Sequence, residues 1–308
     1  MKSPIKIKIV GVGGSGGNAV LRMRKSGIQD IELIAINTDY NDLKKSKADV
    51  QIKIGDGISQ GMGTGMRPKI AQEATEKSRE EIREALKGAD LIFITGGLGG
   101  GTGSGASPII ANISKSLGAL TIAIVTLPFS FEGRKRMRLA RDSEKALKKE
   151  VDALITIKND KLMKVLDPKT SVRDAFWACD NILREAVNSI SSLILSSGVV
   201  NIDFADVKSI LKNSGTALFG IGEAQGKERA KRAIETAINS PLMDYEVQGA
   251  KGILFNVSGE DVTLTEVEKI GRMISKRVDS RAKIIFGVAQ NKKIKKGFIK
   301  IAVVVTGF

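Results

Sequence analysis

Gly96-Gly97-Leu98-Gly99-Gly100-Gly101-Thr102-Gly103-Ser104-Gly105 puts seven glycines into ten residues, between an apolar run and a helical pattern. A turn that only reversed the chain would not need so many, because glycine loses more conformational freedom on folding than any other residue. What glycines supply is bare backbone. Their N–H groups can close on phosphate oxygens at a helix start, where the helix dipole adds positive potential. A second loop of this kind, Gly11-Val12-Gly13-Gly14-Ser15-Gly16, follows the first apolar run. Its G-x-G-x-x-G spacing, with Asp39 after the next apolar run, fits the dinucleotide fingerprint, and alone it points to an NAD-dependent dehydrogenase. Having two loops changes the balance. Parallel strands present their C-terminal ends on one side, so both loops can converge on one phosphate chain. A dehydrogenase has no use for the second cradle. No lysine follows either loop, so the P-loop pattern is missing as well.

Working outward, apolar runs predict strands over 5–10, 31–37, 91–95, 120–126 and 153–158. Helical patterns alternate with them over 18–26, 68–87, 105–117 and 133–151. This βαβ rhythm implies a parallel sheet covered by helices on both faces. It breaks at Asp167-Pro168, where a long helix over 171–195 begins, closed by Ser196-Ser197-Gly198. Beyond it the spacing predicts helices over 203–212, 227–240 and 264–276. Strands are expected over 216–221, 252–257, 282–288 and 298–306. The fold class is α/β: a Rossmann-like parallel-sheet domain (1–170), a connecting helix (171–197) and a smaller α+β domain (198–308).

The totals exclude several chemistries. Among 308 residues there is no histidine, which removes Ser-His and Cys-His triads and the usual zinc sites. Cys179 is the only cysteine, so no intrachain disulfide forms and a reducing compartment is expected. No apolar run approaches the roughly 18 residues of a membrane span. The net charge of +15 is compatible with a polyanionic partner. The basic run Arg134-Lys-Arg-Met-Arg-Leu-Ala-Arg141 reads as a solvated helix face. One tryptophan and two tyrosines offer no aromatic platform for bases, so no specific nucleic acid is expected.

Gly99–Gly105 reads GGGTGSG, which resembles the signature of the tubulin/FtsZ family and differs from its usual FtsZ form only at Ser104. Further segments resemble that family, in its order: Asn37-Thr-Asp39, Thr126-Leu-Pro-Phe-Ser-Phe-Glu132-Gly-Arg-Lys-Arg136, Asn159-Asp-Lys-Leu, Asn201-Ile-Asp203-Phe-Ala-Asp206 and Val305-Thr-Gly-Phe308. The likeness runs from about Ile5 to Phe308.

The resemblance implies a cytoplasmic GTPase that polymerises head-to-tail into protofilaments and forms the division ring at mid-cell. GTP or GDP would be bound with Mg²⁺, and no residue is assigned to the metal. Around the phosphates it places Gly13, Gly14 and Asn18, together with Gly99, Gly100, Gly101, Thr102, Gly103, Ser104 and Gly105. Asn37, Thr64 and Gly65 would lie nearby, and Thr126 is carried over on the family segment it opens. Here the sequence departs from the family, whose members commonly carry smaller residues and an asparagine in this turn: Thr64-Gly-Met66-Arg67 would add the Arg67 cation close to the phosphates. Glu132 and Arg136 are expected at the ribose and base, although i, i+4 spacing alone reads as a surface ion pair. Phe176 would stack on the base, Asp180 would accept from guanine N1–H and N2–H₂, and Asn159 would close the site. Without the resemblance, Phe176 is core packing and Asp180 a helix charge.

Asn201, Asp203 and Asp206 would complete catalysis in the next subunit, whereas local rules read Asp203 as a helix N-cap and Asp206 as a first-turn acid. Some 24 helical residues, about 36 Å, separate these acids from the glycine loops. Family members usually carry a C-terminal peptide that docks membrane anchors and division proteins, and this sequence stops at Phe308 before one.

Overall fold

The computed structural model describes residues 5–28, 30–195, 200, 202–243, 247–291 and 294–308. They divide into two compact units, residues 1–187 and 188–308.

In the first unit, β1 (Ile7–Val12), β2 (Ile31–Asn37), β3 (Val50–Lys53), β4 (Leu91–Gly97), β5 (Leu120–Leu127) and β6 (Ala153–Lys158) form the sheet. Its order is β3-β2-β1-β4-β5-β6 and every pairing is parallel. All eight residues of β5 are buried, as a strand covered on both faces requires. The helices are α1 (Gly13–Lys25), α2 (Tyr40–Lys45), α3 (Pro68–Lys77), α4 (Arg79–Leu86), α5 (Gly101–Ser116), α6 (Arg134–Glu150) and α7 (Asn159–Leu162). Ile34, Ile94 and Val125 of the sheet share one core with Ile110 of α5 and Leu147 of α6. The next helix, α8 (Val172–Leu195), continues across the boundary between the units.

The second unit holds α9 (Phe204–Leu211), β7 (Gly215–Gln225), α10 (Arg229–Ile238), β8 (Gly252–Gly259), α11 (Leu264–Ser275), β9 (Lys283–Gln290) and β10 (Phe298–Thr306). Strand β10 runs antiparallel between β7 and β8, and β9 pairs parallel with β8. Its own core packs Ile234 and Ala237 of α10 and Ile270 of α11 on Phe255 and Val303.

Three differences from the expected elements have local causes. The helix predicted over 68–87 is two helices. Ser78 leaves helical geometry at ψ 14°, and Arg79 clamps back on Glu76 through hydrogen bonds of 2.7 and 2.9 Å. The short α2 and edge strand β3 had no predicted counterpart, because both mix charged or polar residues with few buried ones. Finally, α1 and α5 begin several residues before their predicted starts. Their first turns are glycine, which carries no helical pattern to read.

Within α5, Pro108 lacks the N–H that would bond the carbonyl of Ser104. The hydroxyl of Ser143 on α6 donates to that carbonyl instead, at 2.8 Å, and all of these groups are buried. One helix's proline is therefore satisfied by another helix's serine.

Candidate functional site

Two helices start at one cavity. Neither α1 nor α5 receives a side-chain cap or carries an acid in its first turn. The N–H groups there thus lack the acceptor that a capping side chain would bring. Both first turns line a cavity of about 350 Å³, through Gly13, Gly14 and Ser15 on one side and Gly101, Thr102 and Gly103 on the other. The loops also touch each other. Gly13 has φ +72°, and a Cβ there would meet the Gly103 nitrogen at 3.2 Å. Thr102 is fixed by a 2.7 Å hydroxyl contact with Thr38. Two uncapped helix starts lining one space can hold an anion between them.

The cavity continues from Asn18, Gly100 and Thr126 to Glu132, Arg136, Asn159, Phe176 and Asp180. Phe176 packs edge-on against Phe129 at 5.3 Å and keeps 39% of its surface exposed. Glu132 is committed locally, to the Phe129 N–H at 2.8 Å and to Arg136 at 3.1 Å. Among the described residues, Arg136 Nε and Asn159 Oδ1 are buried with no hydrogen-bond partner. Buried polar atoms are nearly always paired, so both are open to a ligand in the cavity; Thr95 Oγ1, outside its lining, is unpaired in the same way.

Asp180 is 7% exposed, and Arg22 of α1 donates to its Oδ2 from Nε (3.3 Å) and Nη2 (3.1 Å). The Arg22 guanidinium also lies 5.3 Å from the ring centroid of Trp177. Burial lifts the Asp180 carboxyl to about 6, although the charge and hydrogen bonds of Arg22, and a bond from Ser15, act against it. Cys179 lines the same wall. Burial, with the charges of Asp180 and Glu132, pushes its thiol up to about 12, which leaves it neutral rather than nucleophilic.

The other expected phosphate residues stand just outside. Ser104 Oγ accepts from the Gly99 N–H at 2.8 Å, holding the second loop from behind. A Cβ on Gly105 would strike the Pro68 carbonyl at 2.3 Å, so that position serves the packing of α3 on α5. Asn37 is buried, with its side-chain oxygen on the Asp39 N–H. Thr64 presses on the second loop, 1.9 Å from where a Gly101 Cβ would be, and the adjacent Gly65 is exposed. Arg67 folds back on the same turn, its Nε 3.3 Å from the Thr64 carbonyl.

A profile of the Tubulin/FtsZ family, GTPase domain, matches residues 6–167, and one of the FtsZ family, C-terminal domain, matches 215–308. The chain belongs to the tubulin/FtsZ family. Among solved structures, an FtsZ from M. jannaschii, described as an empty dimer, superposes with a TM-score of 0.95 at 42% identity. That match covers 100% of this chain and 89% of the other. A tryptophan-to-tyrosine variant of M. jannaschii FtsZ matches at 43% identity and TM-score 0.95, over 99% of this chain and 91% of that one. CetZ2 from Haloferax volcanii, solved as a GTPγS-bound protofilament, shares the fold at TM-score 0.81 and 24% identity, over 98% and 94%.

Membership of this GTPase family implies guanine-nucleotide binding in general, and most of the cavity's lining lies within residues 6–167, which the GTPase-domain profile matches. The dehydrogenase reading falls away: Asp39, its acidic residue, caps α2 by accepting from the Asp42 N–H at 3.0 Å. In the second unit, Asp203 caps α9 and Asp206 sits in its first turn with Lys283 Nζ at 3.8 Å. Both acids are exposed. Asn201 lies outside the described residues. Sequence reasoning missed Arg22, which sits one helical turn after Asn18 on α1 and could have been found by that spacing.

Proposed function

We propose that this chain binds GTP between its two glycine loops and hydrolyses it as it polymerises head-to-tail into division filaments. The observation that carries this reading is the pair of uncapped helix starts converging on a cavity whose far end holds unpartnered Arg136 Nε and Asn159 Oδ1. The N–H groups of Gly13, Gly14, Gly101, Thr102 and Gly103 bind the phosphates. Phe176 stacks on the base and Asp180 accepts its donor pair, which adenine cannot match. Asn159 and Arg136 hold the ribose end. Among the described residues no group of three acids or cysteines could cage a metal. Mg²⁺ would be carried on the phosphates, where it would offset their charge.

Hydrolysis needs a positioned water more than a covalent group, so a carboxylate suffices without histidine. Asp203 and Asp206 are exposed acids placed after the long helix, available to the nucleotide of a neighbouring copy. They and Asn201 orient that water in the adjacent subunit. The M. jannaschii relative solved as a dimer and the CetZ2 relative solved as a protofilament support assembly of this kind. Among the described residues no helix is long and apolar enough to cross a membrane.

The test is phosphate release per subunit measured across a concentration series, alongside light scattering with GTP, GDP and no nucleotide. Release per subunit should rise above an assembly threshold, and scattering should require GTP. A flat rate in a protein that stays monomeric would rule out hydrolysis across the subunit boundary.

A further inference from the structure

Hydrogen-bonding capacity decides which purine a carboxyl group reads. An ionised carboxylate only accepts, and it matches the adjacent N1–H and N2–H₂ donors of guanine. A protonated carboxylic acid donates once and accepts once, and it matches the N1 acceptor and N6–H₂ donor of adenine. The identity of the base thus depends on whether one proton sits on Asp180.

We propose that Arg22 is the positioning residue of base recognition: by holding Asp180 Oδ2 it keeps the carboxylate ionised, and so keeps the site reading guanine rather than adenine. This rests on the reading above, in which Asp180 faces the base.

The geometry is specific. Two Arg22 donors converge on one oxygen at 3.1 and 3.3 Å, using about two of the carboxylate's four lone-pair positions, and the Ser15 hydroxyl bonds the same carboxylate. The guanidinium is steadied from another side by the Trp177 ring, 5.3 Å away. The other groups around Asp180 do not substitute for it. Ser15 on α1 contributes a hydroxyl but no charge. Arg136, at the start of α6, is committed to Glu132 at 3.1 Å, and Cys179 on the same helix is a neutral thiol. Burial favours the protonated acid, and even with Arg22 present the carboxyl titrates near 6. Arg22 supplies the first two of the effects that act against burial, so without it the carboxyl should titrate higher still.

The experiment measures GTP and ATP affinity from about pH 5.5 to 8.5 in the parent, Arg22→Gln, Arg22→Lys and Asp180→Ala. In the parent, the ratio of GTP to ATP affinity should fall steadily as pH drops through about 6. In Arg22→Gln the fall should move up by about one pH unit or more, lowering the ratio at pH 7 roughly tenfold, with recovery at pH 8.5. Arg22→Lys keeps a cation and should follow the parent closely. Trp177 is the only tryptophan in the chain, so its emission reports the folded state of each variant and the loss of the guanidinium beside it.

An Arg22→Gln profile that matches the parent overturns the proposal. So does equal weakening of GTP and ATP at every pH, which would make Arg22 a general support of the fold. If Asp180→Ala retains the parent's preference for GTP, the base-recognition reading itself fails, and this proposal goes with it.

Discussion

Asp180 and Asp206 are the two carboxylates on which the proposed chemistry turns, and their surroundings are opposite. Asp180 is buried, held by two hydrogen bonds from Arg22, and raised to about 6 by desolvation. Asp206 is exposed in the first turn of α9, where an acid also favours the helix dipole, with one lysine at 3.8 Å. The first carboxylate is already desolvated and oriented before any ligand arrives. It suits recognition, where a fixed acceptor discriminates between bases. The second is solvated and loosely paired, and it becomes a positioned acid only when another surface closes over it. A buried charge announces a site within one chain, while an exposed one can hold half of a site that assembly completes.

The largest expected effect separates the two roles. Asp206→Ala should bind GTP with unchanged affinity yet release phosphate about 100-fold or more slowly, the range seen when a transition-state group is removed. Phosphate release and equilibrium binding measured on one preparation check this. Slow hydrolysis accompanied by weak binding would erase the contrast with Asp180.

Next in size, Asp180→Ala should weaken GTP binding about tenfold or more, because base donors left unpaired in a buried site cost about 1–3 kcal/mol. ATP affinity should barely change. Calorimetric titration with both nucleotides reads this directly, and equal losses for both would remove Asp180 from base recognition.

The comparison sharpens further in stability. With a folded-state titration near 6 against an ordinary value of 3.8, the folded chain keeps a proton that the unfolded chain releases. Nucleotide-free stability should therefore fall as pH rises from about 4 to 6. Replacing the ionised group by a neutral one, Asp180→Asn, should stabilise the nucleotide-free protein at pH 7 by about 1–2 kcal/mol, and the gain should vanish below pH 4. Asp206→Asn should show no such gain. Thermal melts of both variants across pH are the measurement.

The smallest effect is expected at Arg67, beside the turn that presses on the second loop. Arg67→Asn should narrow the ratio of GTP to GDP affinity a few-fold at low salt, since a cation near the γ-phosphate favours the triphosphate. Unchanged affinities for both nucleotides would leave Arg67 as a brace of its own turn.

Much of this was legible in the sequence. The runs over 31–37, 153–158 and 298–306 have the same bounds as β2, β6 and β10, because strands buried on both faces are continuous apolar stretches. The glycine loops, read in the sequence as a phosphate cradle, both line the cavity in which the nucleotide is proposed to bind. Two kinds of residue were not legible. Gly13 and Gly101 open helices without any helical pattern, so both helices were expected to start later than they do. Arg22 pairs with Asp180 across 158 positions, and only the folded sheet brings α1 and α8 together. Ser104 and Gly105 belong to the signature by sequence. In the fold they brace the loop and admit α3, because a motif records the demands of packing along with those of binding.

The Pro108 carbonyl arrangement has a consequence for how the sequence can drift. Ser143 donates to a carbonyl that is exposed to this need only because position 108 has no N–H. Position 143 is thus answerable to position 108, although the two stand 35 positions apart. Were Pro108 replaced by a residue with an amide hydrogen, the helix would close its own bond and Ser143 would be released to vary. The reverse order, losing Ser143 first, strands a buried acceptor. Lineages should therefore cross between the two pairings through the change at 108, so the path has a direction even where both ends are stable.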